Sequence, residues 1–232
     1  MPYTISMSSR YALYEINKLH DRFAPKFDVP KGVKPHYNIS PAQSVPVIIN
    51  KDGINQIKLM KWGFIPKGAK DTNSIFRYKT FNVRSEIIFN KSTWAESIRT
   101  RRCLIPANGF YEWKKSATNK DPYYIRPTDQ PLFAIAGIYS TWTDPNGVDW
   151  GMCSMITIDS ETDDDMTPSR LPIVIDSADE ANWLNPDITD INLIYKTMRP
   201  YNPNQLTIIR VGEGVNSIKI DKPELIERYT RK

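Results

Sequence analysis

Histidine and cysteine are both scarce in this chain: it holds only His20 and His36, and only Cys103 and Cys153. So few soft ligands, so widely spaced, give no set of the kind that holds zinc, and no metal or cofactor is expected. Each cysteine lies in an apolar stretch, RRCLIP and GMCSMIT, which reads as two reduced core thiols and not as a disulfide or a reactive site. No apolar run approaches the ~18 residues of a membrane helix. The N-terminus, MPYTISMSSRYAL, lacks the basic-then-apolar order of a secretory signal. No internal repeat, low-complexity tract or linker interrupts the chain, so a single domain over residues 1–232 is expected, cytoplasmic and away from membranes.

With 40% hydrophobic and 25% charged residues, the composition is that of a globular protein long enough to bury a sizeable core. The net charge of +5 permits an anionic partner without requiring one. Its distribution is more informative. Residues 77–126 carry Arg77, Lys79, Arg84, Lys91, Arg99, Arg101, Arg102, Lys114, Lys115, Lys120 and Arg126, opposed only by Glu86, Glu96, Glu112 and Asp121. The segment 159–165, DSETDDD, is acidic, so the surface is expected to be polarised.

Periodicity predicts a first helix over residues 10–24, with Leu13, Ile16, Leu19 and Phe23 on one stripe and Pro25 as its stop. VPVIIN and QIKLMKWGFI read as strands joined by the turn KDG, and residues 66–80 as a polar loop. Thr93 with Glu96, and Ser177 with Glu180, have the spacing of capping boxes that open short helices. RCLIPANGFYEWKK, PYYIRP, LFAIAGIYSTW, WGMCSMITID and LPIVID read as strands, INLIYKTM as a short helix, and LTIIRVGEGVNSIKID as strand and loop. An α+β domain dominated by a large sheet is the expected class.

Four segments, WGFIP (62–66), FNVRSE (81–86), CLIPANGFYEWKK (103–115) and RLPIVI (170–175), together resemble the SOS-response-associated peptidase (SRAP) family. YNISP (37–41) and the tail VNSIKIDKPELIE (215–227) fit as well, and the resemblance spans nearly the whole chain. It implies a barrel-like, mixed or antiparallel sheet with flanking helices. It also implies a DNA partner: in the family, an N-terminal cysteine condenses with the ring-opened aldehyde of an abasic site in single-stranded DNA, assisted by an asparagine, a glutamate and a histidine. Residue by residue, Asn82 matches the family asparagine and Glu112 the catalytic glutamate. Arg84 matches a phosphate-binding arginine, with Glu86 expected to orient it. Arg170 matches the arginine of a His-x-Arg-Met-Pro element and is expected at a phosphate, the alternative being an ordinary surface arginine. Trp113 is expected either to stack on a base beside the lesion or to lie in the core. Burial between Tyr111 and Trp113 would raise the pKa of Glu112 and suit it to proton exchange; the alternative is an exposed carboxylate paired with Lys114 or Lys115.

The sequence departs from the family at two positions. Pro2 stands in the place of the cysteine (Ser8 is the other counterpart, in a second alignment), and Pro168, beside Thr167, stands in the place of the histidine. Without a thiol no thiazolidine can form. Three readings remain. The first is a noncovalent, monomeric binder of single-stranded or abasic DNA, nucleoid-associated. The second is a lyase whose Pro2 secondary amine, freed by removal of Met1, forms an iminium with the abasic aldehyde. The third is a scaffold that has lost DNA binding. The first two expect residue 2, Asn82 and Glu112 to converge on one cleft. Asp163 to Asp165 would repel phosphate there.

Overall fold

The structure, a computed structural model, describes residues 9–24, 26, 28–66, 69, 71–115, 120–160 and 167–230. Its strands, in chain order, are β1 (Tyr11–Leu13), β2 (His36–Ile39), β3 (Ser44–Lys51), β4 (Ile54–Trp62), β5 (Asn82–Arg84), β6 (Arg102–Ala107), β7 (Gly109–Lys115), β8 (Lys120–Pro127), β9 (Phe133–Thr143), β10 (Asp149–Asp159), β11 (Arg170–Pro172), β12 (Val174–Ile175) and β13 (Leu206–Arg210). The helices are short: α1 (Leu19–Phe23), α2 (Ser74–Tyr78), α3 (Ala95–Thr100), α4 (Glu180–Leu184) and α5 (Ile191–Thr197).

Two sheets carry the fold. In the larger, β10 pairs with β4, β4 with β3, β3 with β6, β6 with β9, and β9 again with β10, so five strands close into a barrel. The β3–β4 hairpin is tight because Asp52 and Gly53 both take positive φ (53° and 76°), the backbone that a two-residue turn of this hand requires. The smaller sheet runs β13-β8-β7-β1-β2. One face of it packs on the barrel through Tyr11, Leu13, Phe110 and Ile125, which share a core with Val47, Ile48, Leu104 and Ile156. Its other face, carrying Ala12, Tyr111 and Tyr124, is covered by Val211, Val215 and Leu225 from the C-terminal segment. This alternation is the two-residue period of a strand.

The expected first helix is only half present. Tyr11–Leu13 pair with both β2 and β7, and Leu19–Phe23 alone is α-helical. The strand segment read over 102–115 breaks into β6 and β7 at Asn108, whose side chain is a hub. Its Oδ1 accepts from the backbone N–H of Tyr14 (2.7 Å) and Glu15 (3.1 Å), and its Nδ2 donates to Glu15 Oε2 (2.9 Å) and the Pro131 carbonyl (2.5 Å). Neither capping box forms, as the residues before α3 and α4 make no side-chain cap bond. Glu180 is engaged instead by Arg22 in a bidentate pair (2.6 and 2.8 Å). The other ends of these two helices are satisfied by one buried side chain. The Arg102 guanidinium donates to the carbonyls of Ile98 and Arg99 from α3 and of Trp183 and Asn185 at α4, serving the orphan acceptors of two C-termini at once. Burial pulls its pKa down to about 10, which leaves it charged at neutral pH. Cys103 and Cys153 are buried free thiols, both pushed up in pKa by burial. No helix among the described residues is long and apolar enough to cross a membrane.

Candidate functional site

Glu112 lies near the middle of β7, opposite Tyr123 on β8, and is 5% exposed. Strand alternation puts it on the face of Phe110, toward the barrel, and puts Tyr111 and Trp113 on the opposite face. The register of β1 on β7 (Tyr11 on Phe110, Ala12 on Gly109) continues through the Tyr111 N–H to Arg10 carbonyl bond (3.0 Å), which brings Ser9 alongside Glu112. The first described residues therefore run past this carboxylate. Pro2 and Ser8 lie outside the described residues, as do Asp163 to Asp165, and with them the expected convergence on residue 2.

Asn82 and Arg84 stand on β5, which pairs in parallel with β10: Asn82 with Met155, Val83 with Ile156, Arg84 with Thr157. Asn82 is buried (2% exposed), and Arg84 is exposed. The strand is held at its start by the Phe81 carbonyl, which accepts from the Met155 N–H (3.0 Å) and from the indole of Trp62 (2.8 Å). An aromatic bridge links it toward β7. Tyr11, the partner of Phe110, packs edge-on against Trp62 at 5.3 Å, and Trp62 packs edge-on against Phe81 at 6.0 Å.

Just beyond β5 the chain turns, and Glu86 does not meet Arg84 as expected. The strand ends at Arg84 and the Ile87 N–H closes a turn on the Arg84 carbonyl (3.2 Å), so the two-residue alternation no longer applies. Glu86 instead takes the fork of Arg170, Oε2 at 2.9 Å from Nη2 and Oε1 at 3.2 Å from both terminal nitrogens. Arg170 Nη1 also donates to Asp159 (2.6 Å), and Nη2 to the Thr157 carbonyl (3.0 Å). Burial alone would raise the pKa of Glu86, but the Arg170 hydrogen bonds and charge outweigh it and hold the carboxyl below its ordinary value. Arg170 is only 5% exposed, so its charge is answered within the fold. Its placement is that of a clamp between β5 and the β10–β11 hairpin, not of an open phosphate contact.

Trp113 also differs from the base-stacking expectation. It is half-buried on the far side of β7 from Glu112, packed against the Val211–Leu225 cluster, with its indole N–H on Asn216 Oδ1 (2.7 Å). Of the two roles weighed for it, the geometry is that of a packed tryptophan. Pro168 is half-buried between buried Thr167 and exposed Ser169, whose carbonyl accepts from the Ser160 N–H at the end of β10 (3.0 Å). One group of residues went unnoticed in the sequence: Phe76 and Tyr78 on α2, inside a stretch read as a polar loop. Two aromatics alternating with Arg77 and Lys79 were the available signal.

A closed five-strand barrel backed by a smaller sheet, with a buried asparagine on a strand paired to the barrel's β10 and a buried glutamate on the smaller sheet, defines the class of fold and site. The chain belongs to the family described as SOS response associated peptidase (SRAP), which it matches over residues 7–218. It is 33% identical over 226 residues to the abasic site processing protein YoqW of Bacillus subtilis, a match covering 96% of this chain and all of that protein. It is 29% identical over 224 residues to the abasic site processing protein HMCES of Gallus gallus, covering 83% of this chain and 66% of that one. Among solved structures it resembles a protein from Bacteroides thetaiotaomicron, with a TM-score of 0.80 and 27% identity, covering 97% of this chain and 99% of that one.

Proposed function

We propose that the protein is a noncovalent binder of abasic sites in single-stranded DNA, acting in the DNA damage response as a cytoplasmic, nucleoid-associated monomer of one SRAP-like domain. The observation that carries this reading is the buried Glu112 beside the strand along which the described chain begins, while neither counterpart of the family cysteine, Pro2 or Ser8, carries a thiol. The relative YoqW, which bears the name abasic site processing protein and is matched along its whole length, supports the substrate class. In this reading Glu112 accepts a hydrogen bond from the sugar hydroxyl that an abasic site carries and an intact nucleotide lacks. A site built to bond a ligand hydroxyl rejects strongly the ligand without one. Asn82 supplies an amide donor and acceptor to the same sugar. Arg84, exposed on β5, binds a phosphate, and Arg170 keeps that strand in place.

The test is binding of a fluorescent single-stranded oligonucleotide, with and without one abasic site, across a salt series, followed by denaturing gels with and without borohydride. Tighter binding of the abasic strand, falling with salt and leaving no denaturation-resistant adduct, is the expected outcome. Arg84→Ala should weaken binding about tenfold and reduce the salt slope by roughly 0.7, the share of one phosphate on a single strand. A cross-link formed without reductant would overturn the noncovalent mode. A cross-link seen only with borohydride would replace it by the Pro2 iminium, and no binding at all would leave a scaffold.

A further inference from the structure

The short helix α2 stands immediately before β5 and has no part in the site as described. Ser74 and Ile75 at its start are buried, the next four residues, Phe76, Arg77, Tyr78 and Lys79, are all exposed, and Thr80 is buried again. Phe76 and Tyr78 are 53% and 56% exposed, unusual values for aromatic side chains. The knuckle is firmly seated. Ile75 packs so closely beneath Gly63 that a Cβ there would stand 2.3 Å from its Cγ2. The Thr80 N–H bonds the Ile75 carbonyl (3.1 Å), and Lys79 takes the left-handed conformation that ends the helix (φ 51°). Helical geometry, at about 100° per residue, then fixes the outward directions. With Ile75 inward, Phe76 and Tyr78 occupy the two flanks, and Arg77 stands between them with its guanidinium 6.0 Å from the centre of the Tyr78 ring.

We propose that this knuckle is a base-stacking wedge for the single-stranded DNA flanking the abasic site, with Phe76 and Tyr78 each taking a base and Arg77 and Lys79 the phosphates between them. The proposal rests on the reading of the chain as an abasic-DNA binder. Three features select a nucleic acid as the occupant. The charge is of one sign, since Arg77, Lys79 and Arg84 meet no acidic residue between Asn73 and Ser85. The alternation of aromatic and cation is the pattern that single-strand binders use, while the centre of a protein interface is depleted in lysine. The wedge also continues into the proposed site, because Asn82 is the fourth residue after Tyr78, at most about 14 Å of chain. At 3.4 Å per stacked nucleotide that is a reach of about four nucleotides from the lesion.

The experiment measures affinity for two abasic single strands: one with intact bases around the lesion, and one in which the four nucleotides on each side are also base-free. On the first, Phe76→Ala and Tyr78→Ala should each cost about tenfold, within the range for loss of one base–aromatic stack, without changing the salt slope. On the second, both variants should bind like the parent protein, because no base is left to stack. Both side chains are exposed, so unchanged thermal melting is expected to show that the fold is intact. A loss of equal size on both strands would overturn the proposal, as the aromatics would then not act through bases. Unchanged affinity of the double variant, with Arg84→Ala still weakening binding, would overturn the wedge alone. Unchanged affinity with a fall in solution mass would assign the patch to a second copy of this chain. Failure of the parent protein to bind either strand would remove the wedge together with the reading beneath it.

Discussion

At Gly109 a single hydrogen in place of a side chain decides how the smaller sheet can pack. A Cβ at this position would lie 2.2 Å from Cζ of Tyr124, and the ring cannot step aside because its hydroxyl donates to the Asn108 carbonyl at 2.7 Å. Gly109→Ala is therefore expected to destabilise the protein by about 3 kcal/mol, at the upper end for overpacking. The corresponding fall in Tm is roughly 6–12 °C for a chain of this size, read by calorimetry. The dipeptide Asn108-Gly109 was legible as part of a signature, but its work was not. The partners of the Asn108 side chain lie 23 to 94 residues away, beyond any local pattern. The burial of Glu112 could be anticipated from its neighbours Tyr111 and Trp113. The inward turn of Arg170 could not, since it depends on Glu86, 84 residues distant, leaving its strand after Arg84.

Among the elements, β5 is the most exposed to a change of conditions, because a strand of three residues relies on the turn after it. The Glu86–Arg170–Asp159 clamp ties its far end to the β10–β11 hairpin. Glu86 has a folded-state pKa held below the unfolded value, so its contribution is present above that value, about 4.3. It is lost as pH falls through the lower, folded one. The carboxylate is 40% exposed, so solvent screening keeps the global effect small. The sensitive readout is local: amide exchange along β5 should accelerate as pH is lowered from 5 to 3, after correction for intrinsic rates. Glu86→Gln should exchange faster at pH 7 and lose that extra pH dependence. A parent-like profile in Glu86→Gln would show that the clamp does not hold the strand. Elements with a strong local signal, β3, β9, β10 and α5, stand where periodicity puts them. Residues 10–24 mislead because the stripe Leu13, Ile16, Leu19 and Phe23 is apolar for two reasons. Leu13 faces the core from a strand, and Leu19 and Phe23 face it from a helix.

Taken as a whole, the molecule is three layers, barrel, smaller sheet and C-terminal cover, and one side chain ties the last at three points besides its apolar packing. Asn38 Nδ2 donates to the carbonyls of Ser217 (2.9 Å), Ile220 (2.9 Å) and Val215 (3.3 Å), beside the His36–Asp221 contact at 2.6 Å. Asn38→Ala would leave the Ser217 and Ile220 carbonyls without this donor, while Val215 keeps that of Arg10 Nη1 (3.3 Å), at a cost of about 1–3 kcal/mol. Deuterium uptake over residues 213–226 should then rise while the barrel strands keep their protection; uniform uptake across the chain would mean that the cover is integral to the core. The α+β class was readable from patterning. Closure of the sheet was not, since nothing local tells β10 that it must meet both β9 and β4.

β10 is the strand on which everything else is measured. Along one edge it meets β9 and then β11; along the other, β4 and then β5. Its first half thus gauges the barrel and its second half gauges Asn82 and Arg84, from a single rigid rule. A one-residue deletion near its middle would invert every inward and outward position beyond the cut and throw barrel and site out of register together. Substitutions outside the paired strands, at Pro168 for instance, would leave that rule untouched. Side chains off those strands can be exchanged one codon at a time without moving the frame, like tools on a fixed jig.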